Sequence, residues 1–293
     1  MDNFIVLYNP LAGNGTAQDK MRELESLMQG DRLYFSNMLD IRDYGAFFND
    51  MPDGASIIIC GGDGTLNRFL NDTEDIRPDC DIYYYPSGSG NDFARDIGAE
   101  RGAPPVLINR YIERLPKICV NGKEHRFING IGYGIDGYCC EKGDELRGKG
   151  DGEVNYTAIA IKGLLFHYKP TGATITVDGV EHRFEKVWLA PTMIGRCYGG
   201  GMMPTPEQDR LNGDGAVSVM VYYGSGKLKS LAVFPSIFKG EHIKHSEMVA
   251  VLSGRNITVC FDEPRPLQID GETVPGVREY SVTACEEKVL QPA

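Results

Sequence analysis

Long apolar runs are missing from this sequence of 293 residues. A transmembrane helix needs about 20 consecutive hydrophobic side chains, so the sequence predicts no membrane-spanning segment. Residues 1–8 also lack the basic region and the small-residue cleavage site of a signal peptide. We therefore expect a cytoplasmic protein, and we interpret the opening stretch as a first β-strand.

Cysteine pairs at metal or redox spacing are missing as well. The eight cysteines include no Cys-x-x-Cys pair, and the five histidines are dispersed without a cysteine at ligand spacing. A zinc site is therefore disfavoured. A chain of this length does not need disulfides to stabilise its fold. We interpret the cysteines as reduced, small apolar residues.

Positive charge is scarce, because the sequence contains 30 Lys and Arg residues but 41 Asp and Glu residues, which gives a net charge of −11. Nucleic acid is therefore disfavoured as the main partner, because phosphate contacts need clustered basic residues. Tight adhesion to anionic lipid is disfavoured for the same reason. Residues 238–245 are the best candidate for transient membrane-surface contact, although a solvated turn explains them equally well. The oligomeric state, including a homodimer, stays open.

The chain length favours two domains, which we place at residues 1–115 and 116–293. In the first domain, strands are predicted at residues 4–8, 32–35, 56–60 and 81–85. Helices are predicted at residues 16–28, where Leu24, Leu27 and Met28 share one face, at residues 44–49, and from near Thr65 onward. This alternation predicts a parallel sheet covered by helices, in an α/β domain that binds its ligand at the carboxyl ends of the strands.

Short β-runs dominate the second domain, at residues 117–120, 124–130, 173–177, 187–190, 216–223, 257–260 and 279–285. The dipeptides Asn121-Gly122 and Asp178-Gly179 predict hairpin turns between such runs. The pattern is typical of an antiparallel β-sandwich. Helices are predicted at residues 156–166 and 227–238. The charged, Gly-rich residues 141–153 predict a mobile loop.

A Gly-rich segment directly follows the buried strand at residues 56–60 and precedes a helix. Glycine lets a phosphate approach the main chain, and the helix N-terminus offers unpaired N–H groups to it. The Asp of this segment is positioned to hold Mg²⁺, and no Lys-Ser/Thr pair follows, so it is not a Walker loop. A plain β-to-α turn is the alternative for this motif alone. The segment comprises Gly61, Gly62, Asp63, Gly64, Thr65, Leu66 and Asn67.

Two further small-residue loops end neighbouring strands. Residues 86–95 follow the strand at 81–85 and supply Ser89 and Asn91 as polar donors and Asp92 as a second carboxylate. Residues 9–15, which start at Asn9, follow the first strand. We expect the three loops to converge on one phosphate-binding crevice.

These motifs together resemble the diacylglycerol kinase catalytic-domain family, which includes sphingosine and ceramide kinases and bacterial lipid kinases. Further segments match the family in the expected order along nearly the whole chain. They are Asn-x-x-Gly-x-Gly-x-Asp at residues 129–136, Gly-Gly-Gly-Met at 199–202, Lys-Gly-x-His at 239–242 and Asp-Gly-Glu at 270–272. The resemblance implies a first domain similar to those of NAD kinase and phosphofructokinase.

The resemblance also implies an ATP-dependent kinase of phospholipid biosynthesis that phosphorylates the hydroxyl of diacylglycerol or a related lipid. Residues 61–67 and Ser89 would line ATP, together with Asn9 and Asn91. Asp63 and Asp92 would organise a catalytic Mg²⁺ through water.

The second domain would contribute a base and a second cation. Glu272 would accept the proton of the hydroxyl, with Asp270 on the same face of an extended segment, so that their charges raise one pKa. Without the resemblance, a hairpin turn is the alternative interpretation of Asp-Gly-Glu. The Asp214 carboxylate and the carbonyls of Leu211 and Ala216 match the place where bacterial members hold a structural Mg²⁺.

Two departures from the family pattern keep alternatives open. Arg68 follows Asn67 where the family commonly has Glu, and Lys117 or Cys119 lies where it tends to have Asp. Activity would then be altered, or lost while the fold persists. One alternative is therefore a catalytically impaired nucleotide- or lipid-binding homologue. The other is an NAD-kinase-type enzyme, which shares the Gly-Gly-Asp-Gly-Thr motif.

Overall fold

The computed structural model describes residues 2–10, 17–88, 90–148, 159, 162–163 and 167–285. Ser89, most of the predicted 9–15 loop and most of the predicted 156–166 helix lie outside these residues. The chain divides into two compact units, Met1–Glu113 and Arg114–Ala293. Within the described ranges, no helix combines the length and apolar character that a membrane crossing needs.

The first unit contains a five-stranded sheet in the order β2-β1-β3-β4-β5. Strands β1 to β4 are parallel, and β5 pairs antiparallel with β4. The strands are β1 Asn3–Tyr8, β2 Arg32–Asn37, β3 Ser56–Gly61, β4 Ile82–Pro86 and β5 Val106–Leu107. The helices are α1 Ala17–Leu27, α2 Tyr44–Asn49, α3 Asp63–Asp72, α4 Asp92–Ile97 and α5 Asn109–Ile112, with a 3₁₀ turn at Met38–Asp40. The predicted α/β architecture is confirmed.

Strand β3 is buried from Ile57 to Gly61, as expected where helices cover both faces of a parallel sheet. On one face, Leu24 of α1 packs with Val6, Ile58 and Tyr85. Of the three residues predicted to share one face, Leu24 is fully buried and Met28 packs against the core. Leu27, the last residue of α1, is 38% exposed.

The strand order also locates the ligand-binding edge of the first unit. Strands β2 and β3 lie on opposite sides of β1 in the sheet. The direction in which strands are added therefore reverses between β1 and β3, and the carboxyl ends of these two strands flank that point. Ligands of open α/β sheets bind at this point. Asn9 follows β1, and Gly62 follows β3.

The second unit is built on an antiparallel sheet with the path β13-β12-β11-β8-β14-β15-β6-β7, and β9 joins β10 to β14. Its strands are β6 Lys117–Val120, β7 Lys123–Arg126, β8 Gly130–Tyr133, β9 Thr171–Val177, β10 Val180–Val187, β11 Thr192–Met193, β12 Val217–Tyr222, β13 Val249–Gly254, β14 Asn256–Ile269 and β15 Glu272–Thr283. Its helices are α6 Ile135–Gly148 and α7 Lys227–Val233, with 3₁₀ segments at Phe234–Lys239 and Glu241–Lys244. The predicted antiparallel character is confirmed.

Both predicted hairpin turns are present. Asn121 and Gly122 have positive φ angles of 52° and 74° and connect β6 to β7, where Val120 pairs with Lys123. Residues 178 and 179 make the same kind of turn, with φ angles of 47° and 85°. In a two-residue hairpin turn, positive φ at both central residues gives a backbone twist that matches the twist of the flanking strands.

Several predicted elements of the second unit need correction. The predicted loop at residues 141–153 is helical up to Gly148, because Ile135 and Cys139 anchor α6 in the core and the charged residues continue the same helix. The predicted strand at 124–130 is interrupted, because β7 ends at Arg126 and β8 begins only at Gly130. The predicted helix at 227–238 changes from α-helix to 3₁₀ at Phe234, where Pro235 has no N–H to donate.

Three further β-runs differ in their extent. Of the run at 187–190, only Val187 belongs to a long strand. Strand β14 continues beyond the predicted 257–260 to Ile269, and β15 begins at Glu272, ahead of the predicted 279–285. The two strands form one long hairpin, which short apolar runs do not reveal.

Candidate functional site in two Gly-rich loops and a hairpin turn

Two Gly-rich loops touch at the carboxyl ends of β3 and β4. The strands are parallel neighbours, with Gly61 opposite Pro86, and the Ser87 N–H donates to the Gly61 carbonyl at 2.9 Å. A Cβ added to Gly88 would lie 2.5 Å from the Cα of Gly62. This approach of two backbones therefore requires glycine, and it brings the first two predicted loops together.

Asn91 holds the second of these loops closed. Its backbone is left-handed, with φ 51°, and its side chain makes two hydrogen bonds to one residue. Oδ1 accepts from the Gly88 N–H at 3.0 Å, and Nδ2 donates to the Gly88 carbonyl at 2.8 Å. The side chain predicted to contact nucleotide thus shapes the loop itself.

The carboxylate of Asp63 reaches across from α3 to the start of α4. Oδ2 accepts the Asp92 N–H at 3.0 Å, and Oδ1 accepts the Phe93 N–H at 2.9 Å. Asp63 therefore caps α4, because these two N–H groups have no partner within that helix.

Asp63 and Asp92 also share one space. The nearly buried Asp92 accepts a hydrogen bond from Arg95 through Oδ1, at 2.9 Å. A Cβ on Gly90 would lie 3.5 Å from Oδ2 of Asp63 and 3.7 Å from Oδ2 of Asp92. Two carboxylate oxygens thus border the position that glycine leaves open, a donor set that suits a hard, hydrated cation.

Tyr84 of β4 is a buried polar residue that sequence reasoning missed. Burial first, and then the negative charges of Asp63 and Asp92, raise the pKa of its hydroxyl well above the ordinary value. The group stays protonated and is a hydrogen-bond donor, but it has no acceptor among the described protein atoms. A tyrosine inside an apolar strand looks like ordinary core, and no local pattern distinguishes it.

The surroundings of the two remaining glycines of the first loop, Gly61 and Gly64, differ. A Cβ on Gly61 would lie 2.4 Å from the Cβ of buried Thr65, so packing requires glycine there. Gly64 lies in the first turn of α3, and nothing lies within 4 Å of its would-be Cβ. Packing within the described residues therefore does not require Gly64, and the N-terminus of α3 is open to solvent at this position.

The other predicted residues of this loop, and Asn9, are placed as follows. Leu66 is fully buried and belongs to the core, so only its main chain faces the loop. The Asn67 side chain accepts from Asn71 one turn along the helix, at 3.1 Å. Asn9 directly follows β1, whose Tyr8 pairs with Cys60 of β3, so it lies at the same sheet edge as the loop.

Arg68 extends away from the carboxylates. Its Nε donates to Asp72 Oδ2 at 3.3 Å, one turn farther along α3, and both side chains are largely exposed. At 100° per residue, Arg68 lies roughly 140° around the helix from Asp63. Its charge is thus paired on the solvent side of α3.

In the second unit, Asp270 and Gly271 form a tight turn. Their φ angles are 46° and 97°, and Ile269 of β14 pairs directly with Glu272 of β15. The prediction of an extended segment with two carboxylates on one face was wrong, because positive φ at both residues reverses the chain between them.

Asp270 binds main chain. Oδ2 accepts the N–H of Ile128 at 2.6 Å, and Oδ1 accepts those of Asn129 and Gly130 at 2.9 and 3.0 Å. Three donors on one carboxylate anchor the hairpin turn to the start of β8.

Glu272 is exposed at the start of β15, and the described residues include no hydrogen-bond or ion-pair partner for its carboxylate. The turn before it is held by Gln268, which is 3% exposed. Gln268 Oε1 accepts the Gly271 N–H at 2.6 Å, and its Nε2 donates to Asp136 at 2.9 Å. Sequence reasoning did not assign a role to Gln268, although it directly precedes the Ile-Asp-Gly-Glu segment.

The predicted structural-cation residues lie in one turn. Asp214 Oδ1 accepts the Ala216 N–H at 3.2 Å, and the neighbouring Leu211 has a 41% exposed side chain. In the described part of the chain, no three His, Cys, Asp or Glu side chains form a cluster that could hold a metal. A cation here would depend on carbonyl oxygens.

Comparison with known proteins agrees with these motifs. Residues 3–117 match the family model described as diacylglycerol kinase catalytic domain. Residues 129–286, more than half of the chain, match the model described as YegS C-terminal NAD kinase beta sandwich-like domain. The chain belongs to the diacylglycerol kinase catalytic-domain family.

Curated members of the diacylglycerol kinase family align along most of this chain. A diacylglycerol kinase of Mycobacterium tuberculosis (strain ATCC 25618 / H37Rv) is 27% identical over 246 residues, covering 81% of this chain and 77% of its own length. A diacylglycerol kinase of Bacillus subtilis (strain 168) is 29% identical over 224 residues, covering 74% and 70%.

A solved structure shares the fold of the family. The crystal structure of a diacylglycerol kinase from Bacillus anthracis str. Sterne superposes with a TM-score of 0.61. It is 19% identical and covers 97% of this chain and 94% of its own.

Proposed function

We propose that this protein is an ATP-dependent lipid kinase that transfers the γ-phosphoryl group to the hydroxyl of diacylglycerol or a related lipid. The observation that carries the proposal is the meeting of Gly62 with Gly88, beside carboxylates of Asp63 and Asp92 that border Gly90. An open, Gly-lined helix N-terminus with two adjacent carboxylates is suited to a metal-bound polyphosphate.

The first loop would bind phosphate oxygens through main-chain N–H groups. Gly64 leaves the N-terminus of the ten-residue helix α3 accessible, and that terminus carries partial positive charge. Asn91 would keep the second loop in position through its two hydrogen bonds to Gly88. Asn9 and Ser89 complete the set of proposed nucleotide contacts.

Asp63 and Asp92 fit a magnesium ion held through water. Oδ2 of Asp63 and Oδ2 of Asp92 lie 3.5 and 3.7 Å from the position of a Cβ on Gly90, so both carboxylates border the same space. When bound, Mg²⁺ would neutralise charge that develops on the phosphoryl oxygens. The capping hydrogen bonds fix the Asp63 carboxylate before any ligand arrives.

Glu272 would act as the general base. As the lipid hydroxyl oxygen bonds to the γ-phosphorus, the bond from that phosphorus to the β-phosphate oxygen breaks, and the hydroxyl proton passes to Glu272. We assign Asp270 a positioning role, because its carboxylate is committed to three main-chain donors.

Arg68 and Lys117 motivate the alternative of an impaired homologue. Arg68 pairs with Asp72 on the solvent side of α3, so its charge does not point toward Asp63, and this weakens the part of the motive that rests on Arg68. Lys117 Nζ lies 3.6 Å from Oε2 of Glu124 on the neighbouring strand β7. We favour the kinase hypothesis over a non-catalytic binder.

The proposal is tested by incubating the purified protein with γ-labelled ATP and Mg²⁺, with diacylglycerol in mixed micelles in one reaction and NAD in another. We expect label in the lipid and none in NAD, and no transfer by an Asp63→Ala variant. Label in NAD alone would favour the NAD-kinase alternative. ATP binding without turnover on diacylglycerol, sphingosine or ceramide would reject the kinase assignment.

A further inference from the structure

Two arginines bind the main chain of residues 209–216, the segment that the family resemblance assigns to a structural Mg²⁺. Arg114 Nη1 donates to the Gly213 carbonyl at 3.2 Å. Arg255 donates through Nη1 to the Asp214 carbonyl and through Nη2 to the Cys285 carbonyl, the latter at 3.2 Å. We call this segment the 209–216 loop.

Two of the three oxygen ligands that the resemblance implies for a cation in this loop already accept hydrogen bonds within it. The Ala216 carbonyl accepts from Gln208 Nε2 and from Asn212 Nδ2, both at 2.8 Å, which uses both of its lone pairs. Asp214 Oδ1 accepts the Ala216 N–H. Two of the three predicted ligands therefore serve the internal hydrogen bonding of the loop.

The charge in the loop opposes a cation as well. The Nη2 of Arg114 would lie 3.1 Å from a Cβ on Gly215, directly beside Asp214. The Nε and Nη2 of Arg114 are buried and have no hydrogen-bond acceptor among the described residues. Mg²⁺ requires nearly octahedral oxygen ligands at about 2.0–2.1 Å, and two adjacent guanidinium groups would repel it. The donor set does not fit the implied ion.

We propose that Arg114 and Arg255 hold the 209–216 loop in place of a divalent cation, so that the second unit is stable without Mg²⁺. A guanidinium group serves this purpose because it is always charged and presents several donors in a fixed plane. Arg255 joins the loop to the end of β15 through Cys285, and Arg114 joins it to the chain just before β6. This inference does not depend on the catalytic activity.

The test is thermal unfolding of the full chain, followed by circular dichroism, in EDTA and in excess MgCl₂. We expect the wild-type Tm to be the same in both solutions, whereas a structural ion at about 100 times its Kd would raise it by roughly 5–10 °C. Arg255→Gln and Arg114→Gln should each lower Tm by roughly 3–8 °C in both solutions, because each leaves a carbonyl without its charged donor.

Arg183→Gln is the matched control, since Arg183 makes only side-chain ion pairs on the surface, to Asp262 and Glu185. It should change Tm by less than about 3 °C.

The Asp214→Asn variant tests whether any effect of Mg²⁺ on Tm comes from the 209–216 loop. A Mg²⁺-dependent rise in wild-type Tm that Asp214→Asn abolishes would overturn the proposal. A rise that persists in Asp214→Asn and disappears in Asp63→Asn would place the ion outside the 209–216 loop and support the proposal, whereas a rise that persists in both variants would overturn it. Arginine variants that behave like Arg183→Gln would also overturn it.

Discussion

The carboxylate of Asp63, at the start of one helix, caps the next helix by accepting the main-chain N–H of Asp92 at 3.0 Å. One side chain therefore fixes the relative position of two loops and supplies a charge at the proposed phosphate site. The structural role of Asp63 coincides with its proposed role in phosphate binding, so experiments on it need a control for stability.

Asp63→Asn should reduce both stability and phosphoryl transfer. The amide retains one acceptor oxygen in place of two, and loss of a capping bond lowers the free energy of unfolding by about 1 kcal/mol. The matched control is Asp43→Ala, because Asp43 caps α2 by accepting the Ala46 N–H at 3.1 Å and alanine removes that one acceptor. Urea unfolding should show comparable losses, whereas transfer should fall only in Asp63→Asn. Equal activity in both variants would contradict the assignment.

Gly64→Ala separates ligand binding from packing. Space around the added Cβ is open, and alanine favours a helix over glycine by up to about 1 kcal/mol, so stability should not fall. ATP affinity, measured by calorimetry with Mg²⁺, should nevertheless weaken because the methyl group obstructs the helix N-terminus. By contrast, Gly88→Ala forces Cβ against the Gly62 backbone and should lose stability as well. Unchanged affinity in Gly64→Ala would argue against a phosphate at this helix.

Glu272→Gln should lower kcat by about 10²–10⁴-fold with little change in stability, because it removes a general base from an exposed position. Glu279→Gln, farther along the same strand and also exposed, is the control and should retain activity. Asp270→Asn should instead lower the free energy of unfolding by roughly 1–3 kcal/mol, since it weakens a carboxylate bound by three N–H groups. A fully active Glu272→Gln would remove the proposed base.

His242 should make stability depend on pH. Its Nε2 donates to the Pro204 carbonyl at 2.9 Å, and burial, the largest cause, lowers the pKa of the imidazole. Below the unfolded pKa of about 6.5, the unfolded chain takes up a proton that the folded chain resists. Stability is therefore complete above that pH and falls as the solution is acidified, by up to about 1.4 kcal/mol per pH unit from this group.

The measurement for His242 is urea unfolding at several pH values between 5 and 8, with His242→Gln and the more exposed His245→Gln compared with wild type. The slope that His242 contributes should disappear in His242→Gln and persist in His245→Gln. An identical slope in all three proteins would show that another group is responsible.

Local pattern in the sequence was sufficient for much of the fold and for one part of the site. Alternating apolar runs and helical periodicity predict the parallel sheet of the first unit, and Asn-Gly and Asp-Gly dipeptides predict two hairpins. The Gly-rich segments at residues 61–67 and 86–95 predict convergent loops, because neighbouring parallel strands end at one edge. Each of these inferences depends on residues close together in the chain.

Tertiary structure decided what individual carboxylates do. Asp270 is separated from Ile128 by 142 positions in the chain. A local sequence pattern therefore could not show that its carboxylate, predicted to be a second catalytic group, binds main-chain N–H groups instead. The same holds for the hydrogen bond from Asp63 to the start of α4, and for the arginines that bind the 209–216 loop. Composition and spacing determine which groups are available, whereas only the folded chain determines which donors reach each oxygen, because hydrogen bonds act over about 3 Å.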